Sequence, residues 1–176
     1  NEHGFIPFME AFRRDASPLW AKYYEWPESY SRFLLYFYAR YQAYNTVLGP
    51  VHHDIISGTV NPDKLTDGIL AVEKEYGPLP FGNLLSANAN PSTLENWGED
   101  SWVTLHQIGN KREHNNYWYL TEIFNLKNPA PALNGEPYYA GYKDARGADI
   151  GVHYSRGAEG NTEKDNEIVR SGAYGS

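Results

Sequence analysis

Pro131-Ala132-Leu133-Asn134-Gly135-Glu136-Pro137-Tyr138-Tyr139 is the stretch on which the reading of this chain turns. The apolar run that leads it has the length of a buried strand, and Pro137, with no N–H to donate, ends the ladder just past Glu136. Glu136 is thereby expected at the carboxyl tip of a strand, where parallel α/β sheets and barrels carry their chemistry. Tyr138 and Tyr139 add flat, hydroxyl-tipped rings on which a sugar can stack. Alone, the stretch reads equally well as a loop carboxylate beside a turn glycine. A second stretch, Gly49-Pro50-Val51-His52-His53-Asp54, repeats the plan and favours the strand-tip reading.

Working outward, strands are expected at 5–10, 47–52, 82–86, 103–107 and 132–136. A helix is expected to start at Trp26-Pro27-Glu28, with Pro27 at the first helical position and Glu28 favourable to the dipole. Its apolar stripe runs through Tyr30, Phe33, Leu34, Phe37, Tyr38 and Tyr41 at helical spacing. A weaker helix carries Ile69, Leu70, Val72 and Tyr76 and ends at Gly77-Pro78. Residues 88–97, rich in Asn, Ser and Pro, read as a loop. A third helix carries Tyr117, Leu120 and Phe124, and residues 166–174 start one more. Alternation of strand and helix with short connections predicts an α/β fold of parallel βα units.

The length of 176 residues suits one domain. A net charge of −7 argues against a nucleic-acid surface, which needs a basic stripe. No apolar run reaches the roughly 18 residues of a membrane helix. The absence of cysteine rules out disulfides, a thiol nucleophile and thiolate metal sites. The compartment stays open: a full-length protein with a signal peptide would be secreted or periplasmic. Aromatic residues make up 15% of the chain, a content that suits carbohydrate handling and an ordinary aromatic core almost equally.

Together the expected strand tips present Asp54, His106, Gln107 and Glu136. Two carboxylates from different strands are the minimum for cleaving a glycosidic bond, one as acid/base and the other as nucleophile or activator of water. His106 and Gln107 would orient sugar hydroxyls or keep a carboxylate charged. Arg13, His53, Trp97 and Tyr138 complete the candidate substrate-binding set. His52 and His53, being adjacent on an extended strand, face opposite ways. Simpler roles compete: Asp54 as a turn cap, His106 as a core histidine, and Arg13-Arg14-Asp15 as a solvated charge run. A metal-dependent hydrolase using His52 or His53 with Asp54, His106 and Glu136 is a second chemical reading, although no helical His-Glu-x-x-His spacing supports it. A non-catalytic carbohydrate-binding protein is the contrasting class. No Gly-x-Ser-x-Gly elbow points to serine chemistry. No metal and no cofactor are expected.

Three motifs in order then carry a family resemblance: Ala39-Arg40-Tyr41-Gln42-Ala43-Tyr44-Asn45 before the strand ending in Asp54, Leu105-His106-Gln107-Ile108-Gly109, and Leu133-Asn134-Gly135-Glu136-Pro137-Tyr138-Tyr139. In these the chain resembles the apiosidase-like glycoside hydrolases, whose catalytic domain is a (β/α)8 barrel. The resemblance implies that residues 1–176 are a single, incomplete TIM-type barrel domain holding about strands three to seven. On that reading the chain's missing partners are the remaining parts of its own barrel. The resemblance also implies a retaining enzyme acting on polysaccharide side chains, with Asp54 as acid/base and Glu136 as nucleophile. Where the family has two glycines before the acid, this chain has His52-His53.

Overall fold

The computed structural model describes residues 3–11, 13, 17–54, 60–90, 92–99, 101–108 and 117–135. Along the chain run β1 (Phe8–Glu10), α1 (Ser17–Tyr23), α2 (Glu28–Tyr41), β2 (Val47–Gly49), β3 (His52–Asp54) and α3 (Pro62–Tyr76). They are followed by β4 (Asn88–Asn90), α4 (Thr93–Trp97), β5 (His106–Ile108), α5 (Tyr117–Phe124) and β6 (Ala132–Asn134).

Helix α2 forms where its apolar spacing demands. Tyr30, Leu34, Phe37 and Tyr38 occupy one stripe and are buried. Glu28 in the first turn and Arg40 in the last both complement the helix dipole. Helix α3 has clearer boundaries. The Asn61 side chain caps its start by accepting from the Asp63 N–H at 2.8 Å, and Pro62 follows at the first helical position. Gly77 ends it at φ +82°, a conformation that costs glycine nothing. The buried stripe of α3 is Leu65, Gly68, Ile69 and Val72.

The two helices cross at Gly68. A Cβ there would stand 2.5 Å from Cδ1 of Tyr30, so only glycine admits the approach. Ser31 Oγ, which also lies 3.1 Å from the Pro27 carbonyl, reaches the Gly68 carbonyl at 3.0 Å. Tyr30 is wholly buried, stacks on Trp26 at 5.0 Å and donates its hydroxyl to the Pro50 carbonyl at 3.2 Å. Through that bond α2 holds the chain just ahead of β3. Leu48, Val51, Ala87, Trp102 and Val103 complete the main core, and a smaller one gathers Ile108, Tyr119 and Ile123 with Leu94 and Ala132.

The alternation of helix and strand is observed, and each strand is parallel to its neighbour. Phe8 pairs with Val47, His52 with Asn88, and His106 with Ala132. The expected arc of five continuous strands, part of a (β/α)8 TIM-type barrel, is not. Among the described residues there are three two-stranded sheets, β1–β2, β3–β4 and β5–β6, and no barrel. Isolated bridges join Arg13 to His52, Leu48 to Leu85 and, antiparallel, Ser92 to Ile108.

The cause is local. Pro50 falls in the middle of the stretch read as one strand and cannot donate to a ladder. Leu48 pairs with Leu85 but His52 with Asn88, so residues 48–52 advance four steps against three on the other side. This bulge separates β2 from β3. The expected strand at 82–86 contributes only the Leu85 bridge, and that at 103–107 begins only at His106.

Residues 88–97, read as a loop, hold β4 and α4 instead. The Ser92 hydroxyl accepts from the Glu95 N–H at 3.1 Å and donates to the Glu95 carboxylate at 2.8 Å. That is the Ser-x-x-Glu helix start, and it outweighs the loop-like composition around it.

Candidate active site at the strand ends

The carboxyl end of β1 and the amino end of β3 bring Glu10 and His52 together. Glu10 Oε2 lies 2.8 Å from His52 Nδ1, an ion pair when the imidazole is protonated. Both are largely shielded, which favours the contact over an exposed pair. Arg13, exposed, joins His52 by a backbone bridge. His53 is level with Ala89, and Asp54, the last residue of β3, is level with Asn90. The side chains of His53 and Asp54 lie outside the described residues, as do Glu136 and Tyr138.

At β5, two consecutive residues face opposite ways, as strand alternation requires. His106 is buried, with Nδ1 3.0 Å from Thr93 Oγ1 at the start of α4. Burial pulls its pKa below the usual imidazole value, and the Glu99 carboxylate only partly offsets this. It is therefore a neutral imidazole near pH 7. The Thr93 hydroxyl also accepts from the Gln107 N–H at 2.8 Å and lies 3.3 Å from the Gln107 carbonyl. The Tyr119 hydroxyl donates to that carbonyl at 3.4 Å, and burial raises the Tyr119 pKa, so the phenol stays protonated. Three elements, α4, β5 and α5, thus fix one dipeptide.

Gln107 lies on the other face, over the backbone of Gly135. A Cβ on Gly135 would overlap Gln107 Oε1 and stand 2.5 Å from its Cδ. Glycine at 135 is what lets the carboxamide lie there, directly before Glu136. Gln107 is 3% exposed, and its Nε2 is buried with no hydrogen-bond partner. A buried donor left unsatisfied is costly in a merely structural residue and useful in one that awaits an acceptor.

Trp97 is placed differently. Its indole N–H donates to the Pro62 carbonyl at 3.3 Å, and its ring meets Trp102 edge-on at 5.1 Å. It packs against the main core, joining α4 to the start of α3. Sequence reasoning singled out neither Glu10 nor Thr93. Glu10 ends an expected strand just as Asp54 and Glu136 do, so the same rule applied evenly would have found it. Thr93 follows the cap residue of the unrecognised helix start. Among the described residues no group of three or more His, Asp or Glu gathers to hold a metal ion. Among them, too, no helix is long and apolar enough to cross a membrane.

Comparison with protein-family models, with curated proteins and with solved structures returns no match. The apiosidase-like resemblance therefore rests on its three motifs alone.

Proposed function

We propose that this protein is a glycoside hydrolase that cleaves a glycosidic bond in a polysaccharide side chain, using Asp54 as acid/base and Glu136 as nucleophile. The observation that carries the reading is the position of the two carboxylates in the chain. Asp54 is the last residue of β3, and Glu136 follows the last residue of β6 by two, each strand being parallel to its partner. Ligands of α/β proteins bind outside the carboxyl ends of such strands. Gln107 supports the reading, since its unpartnered amide N–H beside Gly135 suits a sugar hydroxyl or the oxygen of a neighbouring carboxylate.

In the proposed reaction the Asp54 carboxylic acid protonates the leaving glycosidic oxygen while the Glu136 carboxylate attacks the anomeric carbon. The C–O bond to the leaving group breaks as the glycosyl–Glu136 ester forms. Water, deprotonated by Asp54, then hydrolyses the ester and restores both carboxyls. The substrate class is a pendant sugar on a polysaccharide, the class that the motif resemblance implies.

The test is release of 4-nitrophenol from a panel of 4-nitrophenyl glycosides by the full chain and two variants. Glu136→Ala should lower kcat by about a thousandfold or more, because the covalent step is lost. Asp54→Ala should cost far less on this good leaving group, which needs little protonation, than on alkyl glycosides. Absence of hydrolysis across the panel, or full activity in Glu136→Ala, would refute the assignment.

A further inference from the structure

The first strand carries a carboxylate that the proposed reaction does not use. Phe8 and Glu10, two residues apart, lie on one face of β1. Both lean over Gly49 of β2, where a Cβ would stand 3.0 Å from Cε1 of Phe8 and 3.4 Å from Cγ of Glu10. Glycine at 49 is therefore what lets the ring and the carboxylate settle side by side. Both are part-buried, and 26% of the Glu10 side chain is exposed.

The two carboxylate oxygens differ. Oε2 lies 2.8 Å from His52 Nδ1, and the His52 side chain is only 11% exposed. Oε1 has no hydrogen-bond partner among the described residues, and it is not sealed from solvent. A carboxylate pinned by one oxygen and open at the other is a preoriented acceptor. It is spared the rotamer entropy that a free glutamate loses on binding. It also stands close to the proposed chemistry, since His52 precedes Asp54 by two residues on β3, about 6.6 Å along the strand.

The surroundings define what this acceptor takes. His52 offsets the carboxylate whenever the imidazole is protonated, and Arg13, exposed, is level with His52 through a backbone bridge. A cationic ligand therefore meets no net negative charge. A metal ion is not favoured either, because no group of three or more His, Asp or Glu gathers among the described residues. The carboxylate itself repels an anion. A neutral hydrogen-bond donor remains, and the Phe8 ring beside it suits the C–H face of a sugar. We propose that Glu10 is a specificity-determining residue of the hydrolase, accepting through Oε1 one hydroxyl of the pendant sugar, with His52 as its anchor. This rests on the glycoside hydrolase reading.

Steady-state kinetics of the full chain test it, on the 4-nitrophenyl glycoside that is hydrolysed fastest and on the monodeoxy analogues of that glycoside. In the wild type, loss of one particular hydroxyl should lower kcat/KM about 10–100-fold, the worth of a hydrogen bond to a charged group. Glu10→Gln keeps the shape and removes the charged acceptor. It should lower kcat/KM on the parent glycoside by a similar factor, and the same deoxy analogue should then cost less than about threefold more. His52→Gln, which frees the carboxylate from its anchor without removing it, should shrink that deoxy penalty at least threefold; far-UV circular dichroism checks both folds. Additive losses in Glu10→Gln, or wild-type kcat/KM on the parent glycoside, overturn the proposal and leave the hydrolase reading standing. So does a full deoxy penalty in folded His52→Gln, or a wild type indifferent to every single hydroxyl. A wild type that hydrolyses no glycoside of the panel overturns both.

Discussion

Replacing Gly68 by alanine tests how α2 is fixed against α3. In an exposed helix interior the change would stabilise by about 1 kcal/mol, because glycine is the poorer helix former. Here the new methyl would stand 2.5 Å from Cδ1 and 3.0 Å from Cε1 of Tyr30. Tyr30 has no room to retreat: it is fully buried, stacked on Trp26 at 5.0 Å and met edge-on by Trp20 at 6.2 Å. The helices must part instead. Overpacking of this kind costs about 1–3 kcal/mol. Straining the Tyr30 hydroxyl away from the Pro50 carbonyl forfeits about 1 kcal/mol more. Against the propensity gain, the net expectation is a loss of about 2 kcal/mol. Asp67→Ala, one residue earlier on the exposed side of α3, is the control and should be neutral or slightly stabilising. Urea unfolding followed by far-UV circular dichroism reads both. A Gly68→Ala protein as stable as wild type would show that the helix crossing is not set by this contact.

Other outcomes follow from the same geometry. Gly135→Ala should push the buried Gln107 carboxamide off the Gly135 backbone, lower kcat/KM on aryl glycosides about tenfold or more and cost about 1–3 kcal/mol of stability through overpacking; unchanged kcat/KM would remove Gln107 from the site. His106 has a pKa lowered by burial, so the unfolded chain takes up its proton first as pH falls. The stability it contributes is whole above the unfolded value of about 6.5 and declines below it, by at most about 1.4 kcal/mol per pH unit. Urea midpoints at pH 7.5 and 5.5 should therefore converge in His106→Gln relative to wild type, and an identical pH slope in the two proteins would contradict the assignment. Ser92→Ala removes both hydrogen bonds at the start of α4 and should cost about 1 kcal/mol by thermal unfolding. A double-mutant cycle on Glu10 and His52 should return a favourable coupling of about 1 kcal/mol near pH 6, and zero coupling would mean that the pair is not formed in solution.

The sequence by itself determined the helices whose period is long enough to read. The α2 stripe through Tyr30, Leu34, Phe37 and Tyr38 is buried as its spacing requires, and the weaker α3 pattern at Ile69 and Val72 holds. It also located stretches that end in chemistry-bearing residues and the alternation that makes their pairing parallel. These are local properties, written in neighbours three or four positions apart. Tertiary structure decided what depends on distant partners. Strands of three residues carry too little alternation to be bounded from sequence, so the division of β2 from β3 at Pro50 and the place of β4 emerged only from the pairing. The contact of Glu10 with His52 joins residues 42 positions apart, and Gln107 owes its place to a glycine just past the end of the neighbouring strand. Such contacts are chosen by the packing of α2 on α3 and by strand register, neither of which any short window of sequence records.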